Sequence, residues 1–307
     1  MPRLTVERSI KINAPAEVVY SALNDFNKWI KWSPWLIIDP DAEVDVAADA
    51  KSYTWKGDRV GEGNMKVREE EPNKYIVFDL NFLKPWKSVS STKFVLNREN
   101  DGTEVTWSMD STLPFFIFWM KKMMTAYVGA DYERGLDMLK AYVEEGEVLS
   151  KLDFEGFSSF DGGHWIGIKT SCGLDTIATQ VEADYAILRA YADGNIDAPA
   201  GNFFTIYHKW DIIRDSVAYT AAMPVSEIPK TLPDNLTSGQ IPSIKVYRLK
   251  HTGAYKHLGN AWSAGYTMMR NKEFKHLKKV DPFEVYHNNP QETKEKDLVT
   301  VLHFPVK

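Results

Sequence analysis

The stretch FEVYHNNP at residues 283–290 sets a carboxylate, Glu284, inside an aromatic and β-branched run. Runs of this composition read as strands, and their interior positions usually go to apolar side chains. Side chains alternate along a strand, so Glu284 shares one face with Tyr286 while Phe283, Val285 and His287 share the other. An acid among aromatic rings has two chemical uses. Ionised, it neutralises a cationic ligand whose flat body stacks on Trp or Tyr, so charge attraction and cation–π attraction add. With its pKa raised by desolvation, it serves as a general acid or base. The plain alternative is a solvated strand residue with no role.

Candidate companions are Tyr286 on the same strand, Tyr255 in TGAY, and Trp262 and Tyr266 further along. Leu258, Trp262 and Tyr266 are spaced by four and share a helical stripe, which core packing explains equally well. In TIYHKW, only one of Tyr207 and His208 can point to a given face, and Tyr207 is the expected member. Other chemistry is only apparent. Ser263 in AWSAG would need a strand-to-helix turn to act as a nucleophile, but it falls in the middle of an expected helix. The seven His are scattered and form no metal-ligand spacing, so neither metal nor cofactor is expected.

The chain has 307 residues, room for two domains, with 44% hydrophobic and 26% charged residues. A net charge of −5 and the lack of a long basic tract argue against direct nucleic-acid binding. The run KEFKHLKK at 272–279 reads as the solvated C-terminal end of a helix. The single cysteine, Cys172, rules out an internal disulfide framework and a Cys-based zinc cluster. MPRLTVERSI holds no apolar core of signal-peptide length, so a cytoplasmic protein is expected. The apolar run LPFFIFWM at 113–120 stops at Lys121 and Lys122, well short of the roughly 20 residues that span a bilayer.

In the first half, LTVERSIKIN alternates as a strand, and Asn13 is placed to cap a helix with Pro15 and Glu17 in its first turn. Closely spaced strands between 43 and 112 predict an antiparallel meander, closed by a long helix with Tyr132, Leu136, Leu139 and Val143 on one stripe. A sheet wrapped on a long C-terminal helix is the helix-grip arrangement. On RSIKINAPAEVVYSALNDFNKWIKWSPW and VGADYERGLDMLKAYVEE, residues 1–147 resemble the START-like or SRPBCC superfamily, in its polyketide-cyclase-like branch. The resemblance implies an apolar ligand between sheet and helix, with Trp55, Phe78, Trp107, Met124 and Tyr127 as candidate lining residues; core packing is the rival reading for each. Residues 148–162 read as a linker.

Residues 163–307 contain a repeat. Strand HWIGIKTS, helix LDTIATQVEADYAILRAYADGN and strands NFFTIYHKW and SVAYTAAMPV are followed, after a Pro-containing connection at 224–242, by the same order. The second copy is SIKVYRLKH, AYKHLGNAWSAGYTMMRN, FEVYHNN and LVTVLHFPV. The overall class is therefore α+β, a helix-grip domain followed by a pseudo-symmetric, duplicated β-α-β-β domain with both helices on the back of its sheet. With Phe283 and Val285 turned to the helices, Glu284 turns to the seam between the repeats. On IPSIKVYRLKHTGAYKHLGNAW, FEVYHNNP and LVTVLHFPV, this half resembles the GyrI-like small-molecule-binding domain, also called the AraC-type effector-binding domain. In multidrug-responsive members of that family the acid at this motif position meets lipophilic cations. In some stand-alone members a Glu paired with a Tyr hydrolyses strained electrophiles. Three readings follow: a sensor or sequestering protein for apolar or cationic aromatic compounds; a hydrolase using Glu284 with Tyr286 or Tyr255; and a module that inhibits a protein partner.

Overall fold

A computed structural model describes residues 3–85, 87–112, 119–196 and 199–307. The chain divides into two compact units, Met1–Leu149 and Ser150–Lys307. Both are antiparallel sheets carrying helices, so the class is α+β.

In the first unit, β1 (Arg3–Ile12) is followed by α1 (Ala16–Leu23) and α2 (Phe26–Trp29). Six strands then meander: β2 (Glu43–Val46), β3 (Ser52–Gly57), β4 (Gly61–Glu71), β5 (Tyr75–Lys84), β6 (Ser88–Glu99) and β7 (Gly102–Thr112). The sheet order is β1-β7-β6-β5-β4-β3-β2, so the first strand returns to pair with the last. Helix α3 (Lys121–Glu145) buries Tyr132, Leu136 and Leu139, the expected stripe. Gly135 allows its close approach, because a Cβ there would lie 2.6 Å from the Trp107 ring. The helix ends at Gly146 in a left-handed conformation, φ 84°. Asn13 does not cap α1; Pro15 precedes the first turn, and the Asn13 backbone N–H donates to Glu144 instead. Residues 113–118 of the apolar run lie outside the described residues.

The second unit contains β8 (Ser150–Phe160), β9 (Gly163–Cys172), α4 (Ile177–Asn195), β10 (Phe204–Asp211) and β11 (Ser216–Val225). After β12 (Thr237–Ile241) come β13 (Ile244–Gly253), α5 (Gly259–Arg270), β14 (Phe283–Tyr286) and β15 (Val299–Pro305). The eight strands run β12-β9-β11-β10-β14-β15-β13-β8.

Two further sequence expectations are corrected in this unit. Residues 148–162 are not a linker: Ser150–Phe160 pairs along β13 from Gly253↔Ser150 to Ile244↔Phe160. Pairing satisfies backbone groups that a linker would leave to water, and ion pairs Lys250–Asp153 and Arg248–Glu155 cross the ladder. Gly156, φ 85°, accommodates the register shift at Arg248/Leu249. The second correction is β12, a strand inside the expected connection at 224–242; it pairs with β9.

Candidate functional site

Strand β14 is only four residues long and lies between β10 and β15. Its register sets Glu284 opposite Thr205 on one side and Leu302 on the other. Directly opposed residues share a sheet face, and so do residues two apart, which brings Thr205, Tyr207, Glu284 and Tyr286 together. The helices lie on this same face. Tyr185 of α4 bonds Thr205, and Trp262 of α5 bonds Glu284. Glu284 therefore faces the helices, and the expectation that it turns away from them is reversed. Phe283 occupies the other face, packed with Phe160, Phe204 and the stacked ring of His303.

Glu284 is 1% exposed. Its Oε1 accepts the hydroxyls of Tyr207 at 2.6 Å and Tyr286 at 2.5 Å, and its Oε2 accepts the Trp262 indole N–H at 2.8 Å. The Tyr286 hydroxyl also meets Thr205 Oγ1 at 3.1 Å, and Thr205 meets the Tyr185 hydroxyl at 2.8 Å. With Tyr286 donating to the acid, the chain runs Tyr185 to Thr205 to Tyr286 to Glu284. Among the described residues no Lys, Arg or His forms an ion pair with Glu284.

Burial pushes the Glu284 carboxyl above its ordinary range, and the donors from Tyr207, Tyr286 and Trp262 oppose that rise. Burial, then the neighbouring acid, pushes the Tyr207 and Tyr286 phenols well up, so both stay protonated and act as donors. Tyr255 is pushed up to about 12 by burial and by Glu284.

Each predicted residue of this unit has a definite place. Tyr255 sits in a short turn, Tyr255–His257, with its ring 5.7 Å from that of Tyr286. Trp262 packs edge-on to Tyr207 at 4.9 Å and stacks with Tyr266 at 5.9 Å; Tyr266 is 43% exposed. Tyr207 reaches the acid because it lies two residues beyond Thr205 on the same strand face; His208, next along, is the extra residue of a bulge, where the β10–β11 register shifts between Tyr207 and Lys209. The His208 ring instead binds Asp281 and Thr220, each at 2.7 Å. Tyr185 and Thr205 went unnoticed in the sequence. The β10–β14 register would have named Thr205 by parity, but nothing local reports which strands pair.

In the first unit Trp55, Phe78 and Trp107 belong to one packed core. Phe78 and Trp107 lie in the packed core, where Trp107 stacks on Tyr132 at 3.9 Å and on Phe94 at 4.6 Å. Met124 is half-buried against that core, and Tyr127, 54% exposed, lies at the surface. Trp55 borders a depression of about 380 Å³ with Glu43, Asp45, Lys56 and Glu62. No helix among the described residues is long and apolar enough to cross a membrane.

Residues 3–144 match the family described as polyketide cyclase / dehydrase and lipid transport. Residues 173–306 match the family described as integron-associated effector binding protein. Both resemblances drawn from the sequence are thereby shown. Similar solved structures include the EcmrR C-terminal domain, at 18% identity over 52% of this chain and 98% of that chain, TM-score 0.43. Protein MLL2253 from Mesorhizobium loti is similar at 17% identity over 47% of this chain and 98% of its own, TM-score 0.37. The Aha1 dimer from Colwellia psychrerythraea is similar at 20% identity over 47% and 98%, TM-score 0.35. No curated protein matches the chain.

Proposed function

We propose that the second unit binds lipophilic cations at Glu284, and that the chain senses or sequesters such compounds. One observation carries this reading: a fully buried carboxylate, ringed by aromatic side chains, whose three hydrogen-bond partners are all neutral. A buried charge costs several kcal/mol unless a counter-charge or a proton neutralises it. Burial favours a proton on the acid, and a bound cation would supply the neutralising charge instead. The effector-binding match supports a small-molecule ligand.

The strand order β9-β11-β10 followed by β14-β15-β13 supports a pseudo-symmetric pair of β-α-β-β repeats, with Glu284 beside the boundary where β10 meets β14. For the first unit, α3 lying against β1 and the return of β1 to pair with β7 support a helix-grip arrangement.

Hydrolysis is the second reading, and the Tyr286–Glu284 pair is what favours it. Binding is preferred because Tyr286 donates to the acid itself and not toward a leaving group. The test is a thermal-shift titration of wild type and Glu284→Gln with an aryl cation and a neutral analogue of the same shape. A ligand that binds only the folded state raises Tm by mass action. The cation should raise the wild-type Tm, the neutral analogue should do less, and Glu284→Gln should lose at least about tenfold in cation affinity. Equal cation binding by the variant overturns the reading, and turnover of a strained electrophile that stops in the variant replaces it with the hydrolase.

A further inference from the structure

We infer that Glu284 selects protonated amines over permanently charged quaternary cations, an inference that rests on the cation-binding reading above. A carboxylate offers about four acceptor positions, two on each oxygen. Both on Oε1 are taken, by Tyr207 and Tyr286, while Oε2 takes only the Trp262 N–H. One acceptor position therefore remains, on Oε2. Neighbouring phenols are not free to swing across and fill it. Thr205, backed by Tyr185, holds the Tyr286 hydroxyl, and Tyr207 is wedged between the rings of Trp210 and Trp262.

A protonated amine carries an N–H that meets this position with a charge-assisted hydrogen bond. A quaternary ammonium carries the same charge and no donor, and its methyl groups hold the nitrogen further from the oxygen, where Coulomb attraction is weaker. The aromatic faces do not discriminate, because cation–π attraction serves both kinds of head group. Trp262, whose indole N–H meets Oε2, stacks with Tyr266, which is 43% exposed. The carboxyl also carries its own proton at an unoccupied acceptor position when neutral, so an amine N–H replaces that proton, which leaves to solvent.

The experiment is calorimetric titration of the full chain with a naphthylmethyl dimethylamine and its trimethylammonium counterpart at neutral pH, where both are cations. The amine is expected to bind at least about tenfold tighter, the size of one hydrogen bond to a charged group. That preference should vanish in Glu284→Gln. Equal affinities, a tighter quaternary cation, or a preference that survives in Glu284→Gln overturns the inference and leaves the cation-binding reading standing. If neither compound binds, both fall together.

Discussion

At Glu284 two opposing effects meet: burial, which favours the neutral acid, and three donors, which favour the anion. Burial prevails, so the folded-state pKa lies above the ordinary carboxyl value of 4.5. The folded chain then holds this proton more tightly than the unfolded chain does. Its contribution to stability is full below the unfolded value and is lost as pH rises through the folded one. Urea titrations across that window should show wild type losing stability with rising pH, whereas Glu284→Gln should lack the decline. Cation affinity should move the opposite way, rising with pH until the carboxyl is fully ionised. Tyr207→Phe removes one donor from Oε1; it should lower stability by about 1–3 kcal/mol and shift the same window upward. His251 behaves in the reverse sense. Fully buried, its ring is pushed from 6.5 down to about 4, chiefly by desolvation. It therefore supports stability above the unfolded value and withdraws that support as pH falls toward about 4, a loss that His251→Gln should reduce. Glu284 was legible in the sequence because an acid is out of place in FEVY. Parity also correctly paired it with Tyr286. Parity names which residues share a face and says nothing of which face meets the helices, so the direction came out reversed.

The elements that hold this acid differ in how plainly the sequence announces them. Helix α5 follows from its apolar stripe, but its depth follows from Gly265, where a Cβ would stand 2.1 Å from the Phe304 ring. Gly265→Ala must push α5 outward or displace Phe304, and overpacking of this kind typically costs about 1–3 kcal/mol. Denaturant titration should show that loss, and cation affinity should fall with it, because Trp262 rides on the same helix. Strand β8 was misread because its mixture of Phe, Gly, Ser and acids resembles a linker in composition. Its alternation becomes meaningful only once β13 is known to lie alongside. The bulge at His208 is likewise invisible locally; it comes from the pairing of β10 with β11.

At the scale of the molecule, each unit has its own sheet and its own buried cluster. Fragments 1–149 and 150–307 should each unfold cooperatively in denaturant. A fragment beginning at residue 163 lacks β8, leaves a long side of β13 unpaired, and should be less stable and prone to self-association. Two halves of different type were legible because one shows a meander closed by a long helix and the other a repeated β-α-β-β order. The packed interior of the first unit was not: Trp29, Trp32 and Trp107 fill it edge to face, and counts of aromatic residues do not say whether rings meet each other or a ligand.

The most direct measurement is electron density for the full chain crystallised with a naphthylmethyl dimethylamine. The ammonium nitrogen should lie about 3 Å from Glu284 Oε2, with Tyr207 and Tyr286 still on Oε1. Density for the amine elsewhere, with Glu284 still sealed by its three donors, would contradict a cation site at this acid.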